Sequence, residues 1–71
     1  MQQPKPILTQ REAEVVRLVG SGRSSKQIAL ELGIAPKTVE SYVEHARLKL
    51  GANNRSNLMA RAAALGMLDD Q

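Results

Sequence analysis

Between Leu32 and Pro36 the chain has to end one helix and begin another. Gly33 follows Leu32 directly, where a left-handed residue closes a helix, and Pro36 suits the first position of the next one, with Ile34 and Ala35 between them. A connection this short sets two helices against each other across a tight turn. The segment before it starts as sharply. Ser24-Ser25-Lys26-Gln27 matches a capping box, in which a hydroxyl and a returning side chain satisfy each other's backbone amides, and Ile28, Ala29 and Leu32 follow at helical spacing.

The flanking segments read the same way. Thr9-Gln10-Arg11-Glu12 is a second capping box and predicts a helix from about Gln10, with Ala13, Val15, Val16, Leu18 and Val19 forming a broad stripe before Gly20-Ser21-Gly22 stops it. Pro36 to about Leu50 predicts a third helix whose Val39, Val43, Ala46 and Leu50 share one face. Asn53 and Asn54 offer a cap for a fourth, about Arg55 to Leu65, with Leu58, Ala62 and Leu65 inward and Gly66 ending it. No strand pattern and no internal repeat appear. Pro4-Lys5-Pro6 keeps the start extended, so residues 1–6 read as a flexible tail or the stub of an interdomain linker, 7–68 as the domain, and 69–71 as a C-terminal tail.

Composition agrees with an all-α, four-helix domain. Seventy-one residues make one small domain, and with 42% hydrophobic but 1% aromatic residues the core must be built from aliphatic side chains. The absence of cysteine excludes a disulfide scaffold and thiolate zinc sites and suits a reducing, cytoplasmic setting. Apolar runs fall far short of a membrane span. The net charge of +3 is spread thinly and permits a polyanionic partner without identifying one.

What points to a partner is placement. A helix held by one stripe against its predecessor leaves its N-terminal, solvent-side residues protruding, here Lys37, Thr38, Glu40, Ser41 and Glu44, and the DNA major groove admits such a helix. Helix starts also present unpaired amides and partial positive charge. Ser24, Ser25 and Lys26 mark one start and Lys37 and Thr38 the other, both suited to phosphate oxygens.

Several ordered motifs then carry a resemblance: Leu8 to Glu12, the SSKQIA run Ser24 to Ala29, Leu32-Gly33-Ile34, Lys37-Thr38-Val39, Lys49 to Ala52, and Asn54-Arg55. Together they resemble the LuxR-type helix-turn-helix domain, also called the NarL/FixJ-type effector domain, over about residues 7–68. Glu40-Ser41-Tyr42 and Leu50 to Arg55 are similar to members in quorum-sensing-type regulators. The resemblance implies a transcriptional regulator's domain that binds double-stranded DNA as a homodimer, its third helix in the major groove and its fourth forming much of the dimer contact. It also implies an N-terminal regulatory domain, absent from this chain, which is then an excised or naturally solo effector domain.

By position, the resemblance assigns Lys37, Thr38 and Ser24 to Lys26 to phosphates, and residues 40, 41 and 44 to bases. Glu40 and Glu44 depart from many members. A carboxylate there is repelled by phosphates unless it accepts from a base amino group, and cytosine N4 is the natural donor. Arg23 is a further departure, adding a phosphate contact at the expense of loop packing. On the fourth helix Asn57, Ala60, Arg61 and Ala64 lie together, and the small alanines let a second helix approach, so the resemblance places the dimer seam there.

Each position also has a plainer reading. Lys37, Glu40, Ser41 and Glu44 can be an ordinary solvated face, and Glu44 can pair with Arg47 one turn on. Tyr42 sits at the edge of the core stripe, either packing on the second helix or reaching a phosphate. His45 is the sole histidine, an exposed polar group or a phosphate contact rather than a metal ligand. Gly20 to Gln27 is no P-loop, having Ser25 and Gln27 where Gly and Ser or Thr are required. No nucleophile, base and orienting group converge, so neither an enzyme nor a cofactor is expected. The alternative from another class is a helical protein-interaction module that no longer binds DNA.

Overall fold

Thr9 opens the first helix as its hydroxyl accepts the Glu12 amide at 3.1 Å, while the Glu12 carboxylate accepts the Thr9 amide at 3.0 Å. The computed structural model describes residues 8–68; the tails expected at 1–6 and 69–71 lie outside the described residues. Four helices follow in order: α1 (Gln10–Gly20), α2 (Ser25–Leu32), α3 (Pro36–Lys49) and α4 (Arg55–Ala64). There is no strand among the described residues. Ser24 and Gln27 form the second capping box, at 3.1 and 2.8 Å, and Asn54 caps α4 through the Asn57 amide at 2.8 Å.

The turn between α2 and α3 is built as the sequence demands. Gly33 has φ +71°, a conformation that strains any residue with a Cβ, and the Ile34 amide returns to the Ala29 carbonyl at 3.0 Å. Pro36 then opens α3, where no side chain caps the start.

Valine, isoleucine, leucine and alanine fill the core. Val15, Val16 and Leu18 of α1 meet Ile28 and Ala29 of α2, Val39, Val43 and Ala46 of α3, and Leu58 and Ala62 of α4. α3 packs mainly on α1 and α2. Its buried stripe is therefore fixed, and the opposite side of the same helix faces solvent.

One expectation fails. Leu65 was placed inward with Leu58 and Ala62, yet it is 62% exposed. The helix stops at Ala64, the chain turns at Gly66 with φ +76°, and the Met67 amide donates to the Ala62 carbonyl at 2.8 Å. Met67 and Leu68 then pack against the core beside the end of α4, Leu68 lying over Gly20. Leu65 is the C-terminal cap of α4, and it is Met67 and Leu68, after the turn, that pack against the core.

Glu12 does more than cap. It is 4% exposed, and its Oε1 also accepts from the Lys49 ammonium at 2.7 Å, joining the start of α1 to the end of α3. Burial pushes the Glu12 carboxyl up, but the Lys49 hydrogen bond, the Thr9 amide and the Lys49 charge more than reverse this, so its pKa lies below the ordinary value. With the folded pKa below the unfolded one, the stabilisation is present above the ordinary carboxylate range and is lost as pH falls through the folded pKa. On acidification below about pH 4.3 the thermal midpoint of the wild type should therefore fall more steeply than that of Glu12→Gln. Parallel curves in calorimetry would show that Glu12 is not the acid-sensitive tie.

Candidate nucleic-acid interface

The exposed side of α3 carries Lys37, Glu40, Ser41, Glu44 and His45, while Thr38 and Tyr42 are half-buried at its margins and Tyr42 packs against the core. At the start of α2, Ser24 and Lys26 are exposed and Ser25 is half-buried. The packed α2–α3 pair thus presents two helix starts and one polar helix side together.

Charge on this surface is selectively satisfied. Among the described residues Lys26 and Lys37 have no carboxylate within ion-pair distance, whereas Arg23 pairs with Glu31 at 3.1 Å and Arg47 with Glu44 at 2.6 Å. The unpaired lysines stand at the starts of α2 and α3, where the backbone already favours anions. Arg23, read as a phosphate contact, also donates to Ser21 Oγ at 2.6 Å and is held back along the α1–α2 connection.

Both acids of α3 are engaged within the molecule. Glu44 takes two hydrogen bonds from Arg47, at 2.6 and 3.1 Å, and that guanidinium holds the carboxyl below its ordinary value, while Glu44 raises the Arg47 pKa in turn. The i,i+3 pairing foreseen as the plain reading of Glu44 is thus present. Arg47 also donates to the Ala52 carbonyl at 2.9 Å, tying α3 to the segment that enters α4. Glu40 accepts from the Ser25 hydroxyl at the start of α2 and lies 3.6 Å from the Arg55 guanidinium at the start of α4.

His45 is largely exposed, its Nδ1 3.9 Å from Glu12 Oε2, beyond hydrogen-bond reach. Arg55 was not read from the sequence as a site residue. A signal was there: a cation in the first turn of a helix opposes the helix dipole and calls for an acidic partner elsewhere, which Glu40 supplies.

On α4, Ala60, Arg61 and Ala64 are exposed and Asn57 is half-buried. The Asn57 side-chain oxygen Oδ1 accepts from the Asn53 backbone amide at 2.9 Å and from Arg61 Nε at 3.2 Å. Leu65 joins this side, and with Leu50, Arg61 and Ala64 it lines an open depression. No group of three potential metal ligands occurs among the described residues, and none of their helices is long and apolar enough to cross a membrane.

Comparison with known proteins places these features in context. Residues 6–62 match the family model GerE, bacterial regulatory proteins of the luxR family. The chain is 40% identical over 67 residues to spore germination protein GerE of Bacillus subtilis, covering 94% of this chain and 90% of that protein. It is 38% identical over 63 residues to the quorum sensing-dependent transcriptional regulator VjbR of Brucella ovis, covering 89% of this chain but 24% of that one. In three dimensions it matches the GerE structure with a TM-score of 0.83, 33% identity, and coverage of 89% and 94%. The VqmA–ligand–DNA complex of Vibrio cholera matches with a TM-score of 0.85 at 34% identity, covering 100% of this chain and 31% of that one.

Proposed function

Because the chain belongs to the luxR family of bacterial regulatory proteins and is a helix-turn-helix DNA-binding domain of that type, we propose that it binds a two-half-site duplex as a homodimer, with α3 in the major groove. Relatives in this family are transcriptional regulators rather than enzymes. The observation that carries the proposal is the pair of lysines with no carboxylate partner among the described residues, Lys26 and Lys37, at the starts of α2 and α3. They and the hydroxyls of Ser24, Ser25 and Thr38 hold phosphates, Tyr42 and His45 flank that track, and the exposed side of α3 meets base edges. Since Arg47 and the Arg55–Ser25 pair occupy Glu44 and Glu40, base reading falls first to Ser41. The two hydrogen bonds from Arg47, itself anchored to Ala52, argue against the rival reading, in which Glu44 would be open to a basic protein partner. The VqmA–ligand–DNA complex, of which the matching part is 31% of that chain, contains DNA and so supports DNA binding by this fold.

Binding should be measured against salt. A dimer neutralising about eight phosphates loses roughly 10³- to 10⁵-fold in affinity between 50 and 200 mM salt. Lys37→Ala should weaken binding to cognate and unrelated duplexes alike and flatten the slope of log affinity against log salt by about 0.9 per domain. A loss confined to one base pair would contradict the phosphate role, and salt-independent binding would favour the protein-interaction module.

A further inference from the structure

We propose that Glu40 is an internal stand-in for a DNA phosphate, a carboxylate that occupies Ser25 and Arg55 in the free domain and so restrains sequence-independent binding. The inference rests on the DNA-binding reading above and adds to it a role for Glu40 and a second basic contact, Arg55.

The geometry is specific. Glu40 lies on the exposed side of α3, in the second turn after Pro36, and its two oxygens serve different elements. Oε2 accepts from the Ser25 hydroxyl at the start of α2, and Oε1 lies 3.6 Å from the Arg55 guanidinium at the start of α4. One anion thus sits where the starts of two other helices converge on the recognition helix. A guanidinium fork donates the same hydrogen bonds to carboxylate and phosphate oxygens, and a serine hydroxyl donates to either. Whatever phosphate approaches this corner must displace Glu40 or be repelled by it.

The tie is weak enough to exchange. The Arg55 and Glu40 side chains are 45% and 53% exposed, and ion pairs so open to water add little stability. Removing the carboxylate charge therefore leaves the fold standing while loosening the hold on both donors, since one neutral amide oxygen replaces two anionic ones. Glu44 differs in this respect, because its partner Arg47 is also anchored to the Ala52 carbonyl.

The test is a double-mutant cycle on an unrelated duplex, with Glu40→Gln, Arg55→Ala and the double variant titrated across a range of salt. Glu40→Gln should tighten binding to duplexes of any sequence, by up to about eightfold per domain at 0.1 M salt, and steepen the salt slope by about 0.9 per domain, as one more neutralised phosphate requires. In the Arg55→Ala background the gain should shrink to less than about half, since the released partner is missing. Equal gains in both backgrounds, as simple charge removal gives, would overturn the proposal. So would a loss of preference at one base pair with no gain on unrelated DNA, which would make Glu40 a base reader. A wild-type chain whose binding ignores salt would overturn the DNA-binding reading itself, whereas steep wild-type binding with an unaltered Glu40→Gln slope would overturn this inference alone.

Discussion

Ile28→Ala should cost about 2–5 kcal/mol, the range for removing most of a fully buried aliphatic side chain from a core that cannot close over the gap. Ile28 is completely buried and is the larger of the two buried residues on α2, with Leu32 only partly buried behind it, so it is that helix's main anchor. A domain of this length has roughly 4–10 kcal/mol in total, so the variant should melt at least about 10 °C lower and bind DNA poorly through loss of the α2–α3 arrangement. Leu30, two residues along the same helix but 82% exposed, is the internal control: Leu30→Ala should stay within about 0.5 kcal/mol of the wild type. Thermal denaturation of the two variants side by side decides the matter, and similar midpoints would mean that α2 is held by something other than its buried stripe.

The second large effect is on assembly. Ala64→Glu puts a long charged side chain beside Leu50, Arg61 and Leu65 at the end of α4, where a second copy is proposed to sit. The substitution is exposed, and a carboxylate near a helix C-terminus costs about 0.3–1 kcal/mol, so the fold survives. Loss of pairing removes the benefit of simultaneous binding, worth about 10²- to 10⁴-fold on a two-half-site duplex, and leaves binding to a single half-site unchanged. Undiminished affinity for the two-half-site duplex would place the seam elsewhere on the domain.

The elements were legible where their signals are local. Thr9 with Glu12, Ser24 with Gln27, and Glu44 with Arg47 are each three residues apart, and a spacing of three determines contact once the segment is helical. The Leu32 to Pro36 turn was equally plain, because Gly33 and Pro36 each do one thing there. What stayed hidden depends on packing. Lys49 meets Glu12 across 37 residues and Arg55 meets Glu40 across the α3–α4 connection, and no periodicity announces either. Leu65 was misplaced for a related reason: a helical wheel gives the direction of a side chain but not whether anything lies opposite it, and at the end of α4 it is Met67 and Leu68 that pack on the core while Leu65 stays exposed. The solvent-facing side of α3 was legible as a face, and so was the Glu44–Arg47 pair on it, but the ties of Glu40 to Ser25 and Arg55 were not, since both partners lie on other helices.

Arg47 and its hold on the Ala52 carbonyl bear on what the protein can recognise. Leu50 and Ala52 are buried on either side of Gly51, so the link from α3 to α4 has little slack. For two domains paired through α4 as proposed, that link works as a ruler rather than a hinge: the distance between the reading edges is set by the connector. Operators whose two arms are moved apart by a few base pairs should then be refused outright, even when every base in each arm is right, because the second arm has also rotated around the duplex axis.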